Sequence, residues 1–121
     1  MQREIPIERL AQVVGAEVEQ TIRAIKLALF KGVIMDTRVD TGRLRGNWQT
    51  STGAPAEGEV ERIDPAGSQT SQEAEAGVQA YTVDYLTNNL PYAEVWEERD
   101  GMIARNTARI DRNIRERIRE R

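Results

Sequence analysis

The chain has 121 residues, the length of one domain with a small core of its own, and a formal net charge of −3 at pH 7. It contains neither cysteine nor histidine, which excludes disulfides, thiolate nucleophiles, the usual zinc ligands and the residue most often used for proton transfer near neutral pH. We therefore expect a protein that is not an enzyme and that binds no metal or cofactor.

The first predicted element is one long helix over residues 6–36. Pro6 suits a first helical turn, where its missing N–H costs nothing. Apolar residues then recur at spacings of three and four, which places them on one face of a helix. They are Ile7, Leu10, Val14, Val18, Ile22, Ile25, Leu29 and Val33. This stripe predicts a helix that covers a small sheet, and packing of part of it against a second subunit is compatible with that interpretation.

A first motif follows the helix, Val39-Asp40-Thr41-Gly42-Arg43-Leu44-Arg45-Gly46-Asn47-Trp48. Its Asp-Thr-Gly start is typical of a turn or a helix cap, and its end opens a β-prone run that predicts a strand over about residues 45–53. Arginines next to an aromatic residue also suit contact with phosphates and bases. Because the chain as a whole is acidic, we favour a structural or subunit-interface role.

Residues 53–72, which we call the connecting segment, are rich in Gly, Pro, Ala, Glu, Ser and Gln. This composition offers little for a core to bury, so we predict a long excursion that is mobile in the free subunit. A short helix is predicted over residues 70–79 with Ser71 as its N-cap. The alternating run at residues 81–88 predicts a second strand.

The second motif is Asn88-Asn89-Leu90-Pro91-Tyr92-Ala93-Glu94-Val95-Trp96-Glu97. It begins with turn residues, and its pattern leaves residues 92–98 open between a strand and a helical turn. The carboxylates at the end of this stretch, with Glu98 and Asp100, are a candidate cation or acid–base site. We favour a solvated or salt-bridging cluster, because no calcium-loop or zinc-protease pattern accompanies them.

A C-terminal helix is predicted over residues 101–118, with Ile103, Thr107, Ile110, Ile114 and Ile118 on one narrow face. Residues 102–121 hold seven arginines, whereas residues 53–75 hold six acidic residues against one arginine. The arginine-rich stretch suits either DNA contact or helix packing, and its interspersed acids favour packing. The charge asymmetry predicts contact between copies or with charged partners. The proposed interface residues are Glu57, Glu59, Glu61, Arg112, Arg115 and Arg119.

Together these elements predict a single α+β domain over residues 1–121. Its long N-terminal helix packs on a small, mainly antiparallel sheet, and a C-terminal helix closes the domain.

The ordered pair of motifs resembles the head–tail joining proteins of tailed phages, a family also described as neck, tail-completion or minor-tail-component Z-like proteins. The resemblance is carried by Asp40, Thr41, Gly42, Leu44, Arg45, Asn47 and Trp48, and by Asn89, Pro91, Tyr92, Ala93 and Glu97. It covers most of the chain in the family's order: long helix, first motif, variable segment, strand, second motif and final helix. One departure is that relatives usually have a glycine and a Ser/Gly/Pro loop after the motif glutamate, whereas here Glu98-Arg99-Asp100 leads almost directly to Gly101.

The resemblance implies a structural virion protein, made in the host cytoplasm and located at the junction of neck and tail. It implies a homo-oligomeric ring, a hexamer, between the head-side connector or head-closure protein and the tail terminator or tail tube protein. The ring would surround the DNA channel, with non-specific DNA contact left open and no membrane contact. The alternative is a small nucleic-acid-binding regulator that uses the arginine-rich C-terminal helix. A hydrolase built on Tyr92, Glu94 and Glu97 is strongly disfavoured.

Overall fold

The computed structural model describes residues 16–119 of the chain. Within this range the elements are α1 (Ala16–Asp36), α2 (Arg43–Gly46), β1 (Trp48–Thr52), α3 (Ser68–Gly77), β2 (Asp84–Asn88), α4 (Ala93–Asp100) and α5 (Met102–Arg119). The predicted α+β class is confirmed, with a long helix, a two-stranded antiparallel sheet and a C-terminal helix. No helix in the described range is long and apolar enough to cross a membrane.

The long helix is confirmed from Ala16 to Asp36, and its predicted first part, residues 6–15, lies outside the described residues. The core side of α1 is formed by Phe30, Val33 and Ile34, which are buried together with Trp48 of β1 and Met102 of α5. The earlier stripe residues at positions 18, 22, 25 and 29 are half-buried. The strongest burial therefore lies at the C-terminal end of α1.

α5 runs antiparallel to α1 and very close to it. A Cβ added at Gly32 would overlap the Asn106 side chain, so the absence of a side chain at position 32 makes room for the Asn106 amide at this crossing. Further along the pair, Arg109 reaches the Ala28 carbonyl. The structure corrects the predicted face of α5: Met102 and Asn106 are buried, while Ile103 and Thr107 are exposed. The remaining isoleucines at 110, 114 and 118 are half-buried, as expected for the edge of the contact.

The two strands pair antiparallel with Trp48 opposite Asn88 and Thr52 opposite Asp84. Both are shorter than predicted, because residues 43–46 form the α2 turn and β2 begins only at Asp84. Trp48 anchors the sheet to α1, since its Nε1 donates to Thr37 Oγ1 at 2.8 Å and that hydroxyl donates to the Val33 carbonyl at 2.7 Å. A buried indole N–H thus has the partner that it requires.

The start of α3 differs from the sequence-based prediction, and the structure resolves the stretch that the pattern left open. α3 begins at Ser68, and its N-cap position is Gly67 rather than Ser71, with no capping hydrogen bond from a side chain at that position. The Asp64 carboxylate accepts hydrogen bonds from the backbone N–H and the hydroxyl of Thr70, both at 2.8 Å. The stretch that the pattern left open is helical, α4, and it ends at Gly101 with a φ of 63°.

Candidate functional site

The first motif forms a tight turn that has no room for side chains at its glycines. Thr41 Oγ1 accepts a hydrogen bond from the Arg43 N–H at 3.2 Å. Gly42 has a φ of 99°, and its carbonyl accepts from the N–H groups of Gly46 at 2.9 Å and Asp64 at 3.0 Å. A Cβ at Gly42 would lie 2.5 Å from the Pro65 nitrogen. The glycine is therefore required both by its conformation and by the close approach of the connecting segment.

Arg45 joins the end of α1 to the connecting segment. Its Nη2 donates to the carbonyls of Met35 and Thr37, both at 2.8 Å, and its Nη1 donates to the Pro65 carbonyl at 2.5 Å. The last carbonyls of a helix lack intrahelical partners and carry partial negative charge, so a guanidinium is well suited to them. These bonds give Arg45 a structural role within its own chain.

Asn47 and Arg62 fasten the connecting segment along the first motif. The buried Asn47 accepts from the Val60 N–H at 2.9 Å and donates to the Arg43 carbonyl at 2.9 Å. Arg62 donates to the carbonyls of Gly46 and Trp48, both at 2.7 Å. The role of Arg62 was not predicted; the signal for it in the sequence is its position as the one cation among the six acidic residues of residues 53–75.

The second motif meets the first at this junction. Asn88 Nδ2 donates to the Leu44 carbonyl at 2.8 Å, and Asn89 Nδ2 donates to the carbonyls of Ala56 and Gly58, both at 2.9 Å. Leu44, Leu90 and Ala93 form a small buried cluster beside these bonds. The two motifs therefore share one structural unit that holds the connecting segment between them, which we call the motif junction.

The remaining motif residues divide into a helix cap and exposed positions. The Glu97 carboxylate accepts from the N–H groups of Ile103 at 2.9 Å and Ala104 at 3.2 Å, so it caps the start of α5. Asp40, Pro91 and Tyr92 are exposed. The structure thus assigns a local role to the motif glutamate and none to these three surface residues.

A cation–π contact and an ion pair connect the end of α1 to α4. The Arg38 guanidinium lies 3.8 Å from the centre of the Trp96 ring and bonds both Asp100 oxygens, at 2.8 and 2.9 Å. The hydrogen bond from Arg38 holds the pKa of Asp100 below its usual value. Asp100 of the carboxylate cluster is therefore in a salt bridge. Across residues 16–119 no group of three or more metal-ligating side chains is close enough to hold a metal ion.

The acidic and basic residues that the sequence analysis proposes for an interface lie at opposite ends of α1. Glu57, Glu59, Glu61, Arg112, Arg115 and Arg119 are all exposed. Arg45 bonds both the Thr37 carbonyl and the Pro65 carbonyl of the connecting segment, whereas the last turns of α5 share a groove with Thr21, which Arg117 also lines. Along α1 this separation is roughly 24 Å at 1.5 Å per residue. The acidic and basic patches therefore do not meet within one subunit.

Two of these charged residues already have partners in the same chain. Glu59 pairs with Arg43 at 2.8 Å, and Arg115 pairs with Asp111 one helical turn away at 3.0 Å. Both pairs are exposed, so Glu59 and Arg115 can each exchange the present partner for another at little cost in free energy.

In comparisons with known proteins, the chain matches no family model, no curated protein and no solved structure.

Proposed function

We propose that the protein is a structural subunit of the phage neck, which assembles as a ring, a hexamer, at the head–tail junction of the virion. The ring joins the head-side connector or head-closure protein to the tail terminator or tail tube protein and surrounds the DNA channel. In this role the protein has no catalytic turnover.

The ordered pair of motifs is the observation that carries the proposal. Each motif alone is moderately specific, but both resemble the head–tail joining family, and they occur in that family's order. Their side chains also meet in one unit, because Asn88 bonds the Leu44 carbonyl and Asn47 bonds the connecting segment. A shared structural task explains why two stretches so far apart in sequence occur together.

The distribution of charge supports a ring built from head-to-tail contacts. Such a ring needs two different patches that complement each other on successive subunits. The acidic connecting segment and the arginine-rich end of α5 lie toward opposite ends of α1, which supports contact between copies rather than within one. Each exposed ion pair contributes up to ~1 kcal/mol, and the contribution is repeated at every interface around the ring.

The test reverses the basic patch with Arg112→Glu, Arg115→Glu and Arg119→Glu together. Because the three side chains are exposed, we expect the monomer to stay folded, the ring to disappear in native mass spectrometry, and tails to fail to join filled heads. The matched control replaces the same three arginines by lysine, which keeps the charge and should keep assembly. Normal joining with the glutamate variant would remove this face of α5 from the interface.

The second candidate is a small nucleic-acid-binding regulator that uses α5. It is favoured by the exposure of Arg112 and Arg119, for which the described residues provide no carboxylate partner within ion-pair distance. A regulator should prefer one DNA sequence over others, whereas a channel ring should bind DNA without preference. Fluorescence anisotropy with unrelated duplexes at low and physiological salt separates the two, because non-specific binding falls steeply with salt.

A further inference from the structure

The two outer edges of the sheet are treated differently by the rest of the chain. On β1 the outward N–H of Thr50 donates to Glu73 Oε1 at 2.8 Å, and the outward carbonyl of Trp48 accepts from Arg62 at 2.7 Å. Arg62 and Glu73 also pair with each other at 2.8 Å. Side chains from the connecting segment and α3 therefore occupy the β1 edge, and a further strand cannot pair there.

Within the part of the chain that the structure describes, no side chain covers the β2 edge in this way. The Gly53 N–H donates to the Val83 carbonyl at 2.9 Å, which fixes the alternation of the antiparallel ladder. With Thr50 opposite Leu86, this alternation turns the backbone N–H and C=O of Leu86 away from β1. Among residues 16–119 these two groups have no hydrogen-bond partner. They provide one free donor and one free acceptor on the outer edge of β2, with which an extended chain can pair.

A cleft of about 480 Å³ lies beside this open edge. Residues 86–88 of β2 form one side, and Ala93, Glu94, Glu97 and Ile103 of the helices α4 and α5 form the other. Ile103 is 43% exposed although it is a large apolar residue at the start of a helix. The cleft thus offers an apolar surface for one side chain of an added strand. Glu94 and Glu97 lie next to this surface and form what we call the acidic rim.

We propose that the open edge of β2 binds an extended, basic segment of another protein, which adds a third strand to the sheet. An apolar side chain of that segment packs between Leu86 and Ile103, and a lysine or arginine beside it pairs with Glu94. A second copy of this chain is a poorer occupant, because pairing two β2 edges would bring two acidic rims together. The proposal does not depend on ring assembly.

The probe is a synthetic peptide in which valine and threonine alternate between two terminal arginines, added to the full chain. Amide hydrogen exchange followed by NMR reports on each β2 position separately. Tyr85 and Thr87 are already bonded to β1, so their exchange should not change, whereas exchange at Leu86 should slow by about tenfold or more. Saturating peptide without slowing at Leu86 would overturn the strand-addition proposal.

Variants test the acidic rim and the apolar floor of the cleft. Glu94→Lys should weaken peptide binding about tenfold, which corresponds to the roughly 1.4 kcal/mol of one lost and reversed ion pair. Glu98→Lys makes the same change on an exposed position of α4 outside the cleft lining and should leave affinity unchanged. Ile103→Lys should weaken binding as well.

Equal binding of a peptide that ends in glutamates would contradict the recognition of a basic partner. Leu86 protection that grows with protein concentration in the absence of peptide would assign the edge to a second copy instead.

Discussion

Among the acidic residues of the described range, Asp84 has the most strongly shifted pKa. Its side chain is 0% exposed and pairs with Lys26 of α1 at 2.9 Å, while Thr52 of β1 donates to the carboxylate at 2.7 Å. Burial by itself would raise the pKa of this carboxyl, but the hydrogen bonds from Lys26, Thr52 and other neighbours outweigh it and lower the pKa from 3.8 to about 2. The carboxylate thereby ties the long helix to the sheet.

This depressed pKa predicts an acid-sensitive contribution to stability. Because the pKa is lower in the folded state, the contribution is fully present above about pH 4 and is lost as the pH falls toward 2. Asp84→Asn should lower the free energy of unfolding at pH 7 by about 1–2 kcal/mol and flatten its decline between pH 4 and 2. Urea titrations at a series of pH values measure both effects.

The exposed Asp111→Asn is the matched control and should leave the pH profile unchanged, since its ion pair with Arg115 lies in solvent. An Asp84→Asn profile parallel to that of the unaltered protein would show that Asp84 does not set the acid sensitivity.

At the scale of elements, the connecting segment depends on a glycine that lies outside it. A Cβ added at Gly46 would overlap the carbonyl of Arg62, which is backbone and cannot easily move aside. Gly46 is buried in α2 and its carbonyl also accepts the Arg62 side chain at 2.7 Å. The close approach of two backbones at this point positions the segment against the first motif.

Gly46→Ala should therefore detach the segment and destabilise the domain by about 1–3 kcal/mol. The local signature is faster amide exchange at Val60 and Asp64, whose N–H groups bond Asn47 and Gly42. Gly77→Ala is the control, because its added Cβ meets only the Thr50 methyl group at 3.2 Å. Unchanged exchange at both reporter amides would mean that the segment is held independently of the Gly46 contact.

Sequence periodicity predicted the elements better than it predicted what holds the connecting segment. The three-and-four stripe of α1 and the alternation around β2 are local patterns, so their types could be read directly. The segment has few apolar residues, and that scarcity predicted mobility. In the structure Asn47 and Asp64 hold it by polar bonds to distant backbone groups, and no local pattern encodes such bonds. Mobility of the connecting segment in the free protein stays a prediction. It is least expected at residues 58–65, because these bonds hold that part of the segment.

In the candidate site, too, local features could be predicted from the sequence and bonds between distant residues could not. The two motifs were recognised because turn residues and aromatics at fixed positions are visible in the sequence. That Asn88 bonds the Leu44 carbonyl, which joins the motifs into one unit, follows only from the strand register. Likewise the open edge of β2 could not be predicted, because it depends on which strand the Arg62 and Glu73 side chains cover.

At the scale of the whole molecule, the subunit is electrically polar along α1. The acidic residues of the connecting segment lie toward the end where α1 meets the motif junction, and the arginines in the last turns of α5 lie toward the other. A polar subunit of this kind assembles head to tail more readily than it dimerises symmetrically, because a two-fold axis brings identical patches together.

This polarity predicts that assembly can be abolished from either side and restored by exchanging the charges. Glu57→Arg, Glu59→Arg and Glu61→Arg together should block ring formation, as should the change of Arg112, Arg115 and Arg119 to glutamate. A chain carrying all six changes should assemble again, because each interface regains pairs of up to ~1 kcal/mol with opposite orientation.

Since these pairs are exposed, rings of the original and the exchanged chain should both weaken as salt rises. Native mass spectrometry at increasing ammonium acetate measures this directly. If both single-patch variants fail and the six-fold variant also fails, the two patches contact different partners rather than each other.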